Sequence, residues 1–304
     1  MSNVELKQIF ESKKEKIDAY LENILNNDEI PDVLCQCIAY SLLNGGKRIR
    51  PVLSQITAEK LGIDPDVGID PDGVLPLAAA IEMAHTASLI HDDLPCMDND
   101  DYRRGKLTNH KVYGEAMAVL AGDSLLAYGF ELCLQELPRL GFTQSNILNA
   151  LKIFSHAIGP CGICGGQALD ITQEGHEGEG EFLWKMCELK TATLLRASIT
   201  ASAALVGAGE KTMSCLHNYG THLGISFQII DDILDVTGSI SELGKTPGKD
   251  AKEGKLTFVA LHGLERAKEL AMEETKKAID SILPLGPDFE VFLDIAEYIA
   301  RRSK

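Results

Sequence analysis

Positive charge is scarce in this chain: 29 lysines and arginines face 45 aspartates and glutamates, a net charge of −16. So acidic a surface has no general electrostatic affinity for nucleic acid or anionic lipid. An anionic ligand must therefore be held by metal or by locally concentrated basic side chains. Long apolar runs are also missing. No uninterrupted stretch approaches the ~18 residues of a membrane span, so none is expected. The N-terminus, "MSNVELKQIFESKKEKIDAYLENI", has neither an apolar signal core nor a transit-peptide composition. Disulfide framing is absent as well. The eight cysteines are scattered, mostly within apolar helical patterns where a buried thiol is the default, and the expected compartment is the cytoplasm. The pair Cys161 and Cys164 in "GPCGICGG" has redox or half-zinc spacing. It lacks a second pair at zinc-ribbon distance and a flanking strand, so it is read as helix packing.

No sustained period-2 runs with hairpin turns occur, no fixed-length repeat is visible, and no linker divides the chain. What is present is helical. "DVLCQCIAYSLLNGG" ends in a glycine pair that suits a helix stop. An Ala-rich segment, "LPLAAAIEMAHTASLIHDD", runs into aspartates, and "GEAMAVLAGDSLLAYGFELCLQEL" ends near Pro138. "EGHEGEG" reads as a surface loop between later apolar helices. With 304 residues, 45% of them hydrophobic, the chain can bury a large core. The expected architecture is all-α, a single domain over residues 1–304 built as one large helical bundle.

Two aspartate clusters stand out. In "FQIIDDILDV", Gln228, Asp231, Asp232 and Asp235 fall at i, i+3, i+4 and i+7, one helical stripe among apolar neighbours. Like charges on a buried stripe repel and are expensively desolvated, and a cation resolves the conflict. Oxygen-only ligation without clustered His or Cys favours Mg²⁺. In "LIHDDLPCMDNDDYRRG", Asp92 and Asp98 are six positions apart, roughly 600° of rotation on an ideal helix, and so would not share a face. Pro95 lies between them and allows the chain to fold Asp98 back. Asp100 and Asp101 are read as solvent-facing. Arg103 and Arg104 suit bidentate capture of phosphate oxygens. Further basic patches are "GGKRIRP" with Lys47, Arg48 and Arg50, and "LGKTPGKDAKEGKLTF" with Lys245, Lys249, Lys252 and Lys255. With two metal-type clusters they imply a diphosphate-binding cavity, which Lys190 and Thr191 join as donors from an apolar helix.

In these segments the chain resembles the short-chain trans-isoprenyl (polyprenyl) diphosphate synthases. "DDLPCMDNDDYRRG" looks like that family's first aspartate-rich motif in the form with two extra residues, and "DDILD" like its second. "GGKRIRP", "LKTATL", "GKTPGKD" and "EGKLT" follow in the family's order, so the resemblance spans nearly the whole chain. It implies an isoprenoid synthase-like bundle around a central active-site cavity, and a homodimer. It implies that Lys47, Arg50, His85 and Arg104 hold the diphosphate of isopentenyl diphosphate. Arg103, Lys190, Thr191, Gln228, Lys245 and Lys255 would hold that of an allylic partner (dimethylallyl, geranyl or farnesyl diphosphate). Asp92, Asp98 and Asp231 would ligate Mg²⁺, with Asp93, Asp232 and Asp235 in support. Ala87 and Ser88, five and four residues before Asp92, fall where the family sets product length. Both are small, which favours geranylgeranyl diphosphate (C20) or longer over the alternative, farnesyl diphosphate (C15). A terpene cyclase would not need "GGKRIRP". A non-catalytic partner subunit would have lost an aspartate motif, and neither motif is lost.

Overall fold

The computed structural model describes residues 3–62, 71–172, 180–238 and 255–301. The all-α expectation holds. In order, the helices are α1 (Asn3–Ile24), α2 (Asp32–Leu42), α3 (Ile49–Lys60), α4 (Leu75–Asp92), α5 (Asn109–Tyr113), α6 (Glu115–Arg139), α7 (Gln144–Ile158) and α8 (Ile163–Thr172). They continue with α9 (Gly180–Cys187), α10 (Thr193–Leu205), α11 (Glu210–Thr237), α12 (Phe258–His262), α13 (Leu264–Ile282) and α14 (Glu290–Ala300). "EGHEGEG" lies almost wholly outside the described residues, as do Lys245, Lys249 and Lys252.

One exception to the helical reading is a hairpin, β1 (Tyr102–Arg103) antiparallel to β2 (Lys106–Leu107). Two-residue strands are too short to leave a period-2 signature. The turn itself is legible: Arg104 and Gly105 both have positive φ, at 52° and 77°, as a tight two-residue hairpin requires.

The chain forms two compact units, one of Gln8–Lys152 with Ala201–Gly207, the other of Met1–Lys7, Ile153–Thr200 and Ala208–Lys304. In the first, α4 is nearly encased, with Leu77, Ala78, Ala79, Ala80 and Ile81 fully buried. Its small side chains pack into a core with Ala118, Ala121 and Leu125 of α6 and Ile17 and Leu21 of α1. In the second, Tyr219 of α11 is fully buried, and its hydroxyl donates to the Phe292 carbonyl of α14 at 2.7 Å. The two rings meet edge to face at 5.3 Å.

Length and composition alone would let three helical stretches cross a membrane: Asp72–Asp92, Glu115–Arg139 and Gln144–Thr172. No uninterrupted apolar run announces them, because alanine, glycine and scattered polar residues make up much of each. The first has 78% of its apolar window buried within the protein, and its apolarity serves the core.

Candidate active site

In the first unit the aspartate segment folds as Pro95 allows. Helix α4 ends at Asp92, and the chain loops so that the Asp98 amide donates to the Asp92 carbonyl at 2.8 Å. The Asn99 amide reaches the Leu94 carbonyl at 3.1 Å, with Asn99 at φ 50°. Six residues that would diverge on a straight helix are thus returned to one place. Asp92 and Asp98 both stay partly accessible, whereas Asp93 is buried. Its carboxylate accepts from Arg103, with Nε at 3.0 Å and Nη2 closer still. Burial pushes the Asp93 carboxyl up, against the pull of Arg103, and Asp100 and Asp98 add to the rise. Asp93 therefore seats Arg103 and the hairpin that carries it. Asp101 is exposed, but Asp100 is half-buried, with a carboxylate oxygen 3.5 Å from Arg103.

The "GGKRIRP" segment divides its cations. Arg48 is buried, left-handed at φ 49°, and spent on structure: it donates to Asp18 at 2.8 Å, Glu82 at 2.7 Å and the Leu42 carbonyl at 2.7 Å. Removing one member of such a buried pair costs about 3–5 kcal/mol because the other is left uncompensated. Lys47 is exposed and Arg50 partly buried on α3. Arg104 folds over the glycine pair, its Nη1 donating to the Gly45 carbonyl at 2.5 Å. A Cβ on Gly46 would lie 2.8 Å from that guanidinium, and Gly46 has φ 119°. The backbone angle favours glycine, and a Cβ would push the guanidinium aside. His85, on the same helix as Asp92, is held neutral well below the ordinary imidazole range by burial and by Arg50, Arg104, Arg103 and Arg48. Of these four, Arg48 and Arg103 are already paired with carboxylates, so Arg50 and Arg104 are the candidates for holding an anion beside His85. Gly46→Ala is expected to evict Arg104 and weaken binding of an anion there about tenfold, the worth of one charge-assisted hydrogen bond, which titration with inorganic diphosphate would check.

On α4, His85, Ser88, Leu89 and Asp92 form the incompletely buried stripe at i, i+3, i+4 and i+7. Ala87 lies off that stripe, fully buried in a core with Met83, Ile90 and Leu94. The sequence reading grouped Ala87 with Ser88; the structure gives only Ser88 the face of Asp92.

In the second unit, Lys190 and Thr191 sit on a π-helical turn, Glu188–Ala192, between α9 and α10. Such turns bulge a helix and are common at functional sites. Lys190 is ion-paired with Asp170 of α8. Asp170 escaped the sequence reading, as did Gln167, whose buried amide nitrogen finds no partner among the described residues. Their i, i+3 polar spacing within apolar "GGQALDI" was the available signal.

The stripe on α11 is more divided than its spacing suggests. Gly220, Gly224, Gln228 and Asp232 repeat at i+4. A Cβ on Gly220 would stand 2.7 Å from the Arg196 Cα, and one on Gly224 would be 2.6 Å from the Ala192 Cβ. The glycines thus let α11 close on α10 and the π turn, so that Thr191 Oγ1 donates to Gln228 Oε1 at 2.6 Å. Gln228 Nε2 donates to Asp232 Oδ1 at 2.8 Å, and the Phe258 amide to Asp232 Oδ2 at 2.8 Å. Asp232 is buried with both oxygens engaged, anchoring α12 three residues after Lys255, which is half-buried. Asp231 is half-buried and Asp235 buried.

Each unit carries accessible carboxylates of the kind Mg²⁺ takes, Asp92 and Asp98 in the first and Asp231 in the second, whereas Asp93 and Asp232 are engaged by Arg103 and by Gln228 and the Phe258 amide. Among the described residues no three His, Cys, Asp or Glu side chains form a ready-made metal group. The cysteines depart from expectation. Cys37, Cys133 and Cys187 are buried, but Cys161 and Cys164 are exposed, as is Cys96. The helical pattern of "SNILNALKIFSHAIGPCGICGGQALDI" breaks at Gly159–Gly162 and lifts the pair out of the packing.

The chain is similar along its full length to known proteins. A farnesyl diphosphate synthase of Geobacillus stearothermophilus is 42% identical, with 100% of both chains covered. A chloroplastic geranylgeranyl pyrophosphate synthase of Capsicum annuum is 46% identical over 90% of this chain and 72% of its own. The crystal structure of a geranyltransferase from Helicobacter pylori, complexed with magnesium and isoprenyl diphosphate, superposes with a TM-score of 0.85 at 34% identity, covering 99% and 98% of the two chains. The polyprenyl synthetase family model matches residues 31–283, and with this coverage the chain belongs to the polyprenyl synthetase family.

Proposed function

We propose that this prenyltransferase condenses isopentenyl diphosphate with allylic diphosphates and releases chiefly geranylgeranyl diphosphate. The observation that carries the reading is the returned Asp92–Asp98 loop, followed directly by a hairpin whose Arg104 folds over the Gly45–Gly46 pair. Acid to bind metal and base to bind diphosphate are built into one short stretch. Bound Mg²⁺ would neutralise charge on the departing diphosphate. The chain's own groups do the rest. Arg50, Arg104 and Lys47 orient isopentenyl diphosphate, while Lys190, Thr191 and Gln228 take the allylic diphosphate together with Arg103, Lys245 and Lys255. Apolar helix faces exclude water from the reacting carbons. The released diphosphate can accept the final proton, so no side-chain base is needed.

Length control falls to Ser88, one turn and about 6 Å below Asp92 on the accessible stripe. Its Oγ turns back onto the His85 carbonyl at 2.8 Å, leaving little bulk to stop a growing chain. Purified protein with Mg²⁺, isopentenyl diphosphate and farnesyl or geranyl diphosphate should yield mainly C20, by chromatography of the dephosphorylated products. Ser88→Phe should shift the main product to C15 at similar total turnover. Chiefly C15 from the unaltered enzyme would overturn the length assignment. Ala87→Tyr is the poorer test, because overpacking that core costs about 1–3 kcal/mol.

The reading includes a homodimer. Leu120, Ala127 and Leu134 repeat at seven-residue steps on the exposed side of α6, with Val119 beside them. Such a seam suits a second helix, and exposed Asp123 and Glu131 on the same helix favour a protein partner over lipid. A cytoplasmic location accords with the free cysteines.

A further inference from the structure

The geometry points to Cys161 and Cys164 as a reversible thiol–disulfide site whose oxidation loosens the grip on Lys190. The two exposed cysteines lie at i, i+3 across the turn that opens α8. There the Gly162 amide donates to the Gly159 carbonyl at 3.0 Å and the Gly166 amide to the Gly162 carbonyl at 2.9 Å. The Cys164 thiol donates to the Ile158 carbonyl at 3.1 Å, tying the start of α8 to the end of α7.

Helix α8 then holds Lys190 at two points. Gly166, two residues after Cys164, has no room for a Cβ because the Lys190 backbone nitrogen stands in its place. One turn further on, Asp170 forms the ion pair with the Lys190 ammonium. Cys161 stands in the turn just before α8 and Cys164 in the first turn of α8, and a disulfide would hold their Cβ atoms about 3.8 Å apart. Closing the bond therefore fixes that turn against the start of α8 and removes the Cys164 proton from the Ile158 carbonyl. The close fit of Gly166 against Lys190 cannot absorb that movement.

The oxidant is a low-molecular-weight disulfide. One cysteine thiolate attacks a sulfur of that disulfide, giving a mixed disulfide and releasing one small thiol. The second cysteine thiolate attacks the protein-bound sulfur and expels the other small thiol. The protein pair loses two electrons and two protons, which the two small thiols carry away. The consequence for catalysis rests on the allylic role proposed for Lys190; the thiol chemistry does not.

The full-length protein would be equilibrated in glutathione buffers from reducing to oxidising. Alkylation with peptide mass spectrometry reads the cross-link, hydrogen exchange of residues 188–192 reads the π turn, and kinetics read the KM of each substrate. The expected result is a Cys161–Cys164 cross-link reversed by reductant, with faster exchange in the π turn. The allylic KM should rise about tenfold, the worth of one charge-assisted contact, with the isopentenyl diphosphate KM unchanged. Cys161→Ser and Cys164→Ser should each abolish the response and keep the kinetics of the reduced protein. No cross-link in buffers that oxidise a reference dithiol overturns the site. A cross-link with unchanged exchange overturns the coupling to Lys190. Altered exchange with an unchanged allylic KM would count instead against the allylic role of Lys190.

Discussion

Asp92→Ala and Asp231→Ala should each lower kcat roughly 10³-fold, the scale of removing one group that stabilises transition-state charge. The ligand role matters only as the leaving diphosphate gains charge, so the loss falls on turnover rather than on substrate affinity. The structure separates this from unfolding. The loop that returns Asp98 uses the Asp92 carbonyl, which the alanine keeps. Asp92 is also half-exposed, where truncation usually costs within about 0.5 kcal/mol. Asp232→Ala is the contrasting control: it strands the buried Phe258 amide, about 1–3 kcal/mol for an unsatisfied group, and releases the half-buried Gln228 amide as well. The first two variants should melt near the parent temperature and the third well below it. Near-normal turnover of either at saturating Mg²⁺ would remove the metal assignment.

Much of this site was legible because its chemistry is local in sequence. The return of Asp98 follows from a proline between two aspartates, and the stop after α2 from a glycine pair. What escaped depends on contacts made in three dimensions. Arg48 and Arg50 look alike in "GGKRIRP", yet only Arg48 meets Glu82, thirty-four residues away, and becomes structural. Spacing put Asp231 and Asp232 on one stripe, but the Phe258 amide that claims Asp232 comes from 26 residues further along the chain. The π turn at Lys190 is a one-residue shift in hydrogen bonding, which a periodicity near 3.6 does not register. Exposure of Cys161 and Cys164 depends on where a break falls between α7 and α8, and apolar composition alone argued the other way.

Arg50→Ala and Lys190→Ala should divide the two substrates. Arg50 lies near His85, whose imidazole is held neutral first by burial and then by Arg50 and the neighbouring arginines. Lys190 belongs to the other compact unit and to a different network: the ion pair with Asp170 and, beside it, the chain from Thr191 through Gln228 to Asp232. With Arg50 assigned to isopentenyl diphosphate and Lys190 to the allylic diphosphate, each truncation should act chiefly on its own anion. Losing one charged hydrogen-bond donor is worth about 1.5–3 kcal/mol, roughly 10- to 100-fold in KM. Arg50→Ala should therefore raise the KM for isopentenyl diphosphate by that factor and leave the allylic KM within about threefold, and Lys190→Ala should do the reverse. Lys190→Ala carries a second cost, because the largely buried Asp170 carboxylate loses this ion pair. Asp170→Asn on top of Lys190→Ala should then recover stability without restoring the allylic KM. Equal effects of Arg50→Ala and Lys190→Ala on both substrates would mean that the basic residues serve one shared diphosphate pocket.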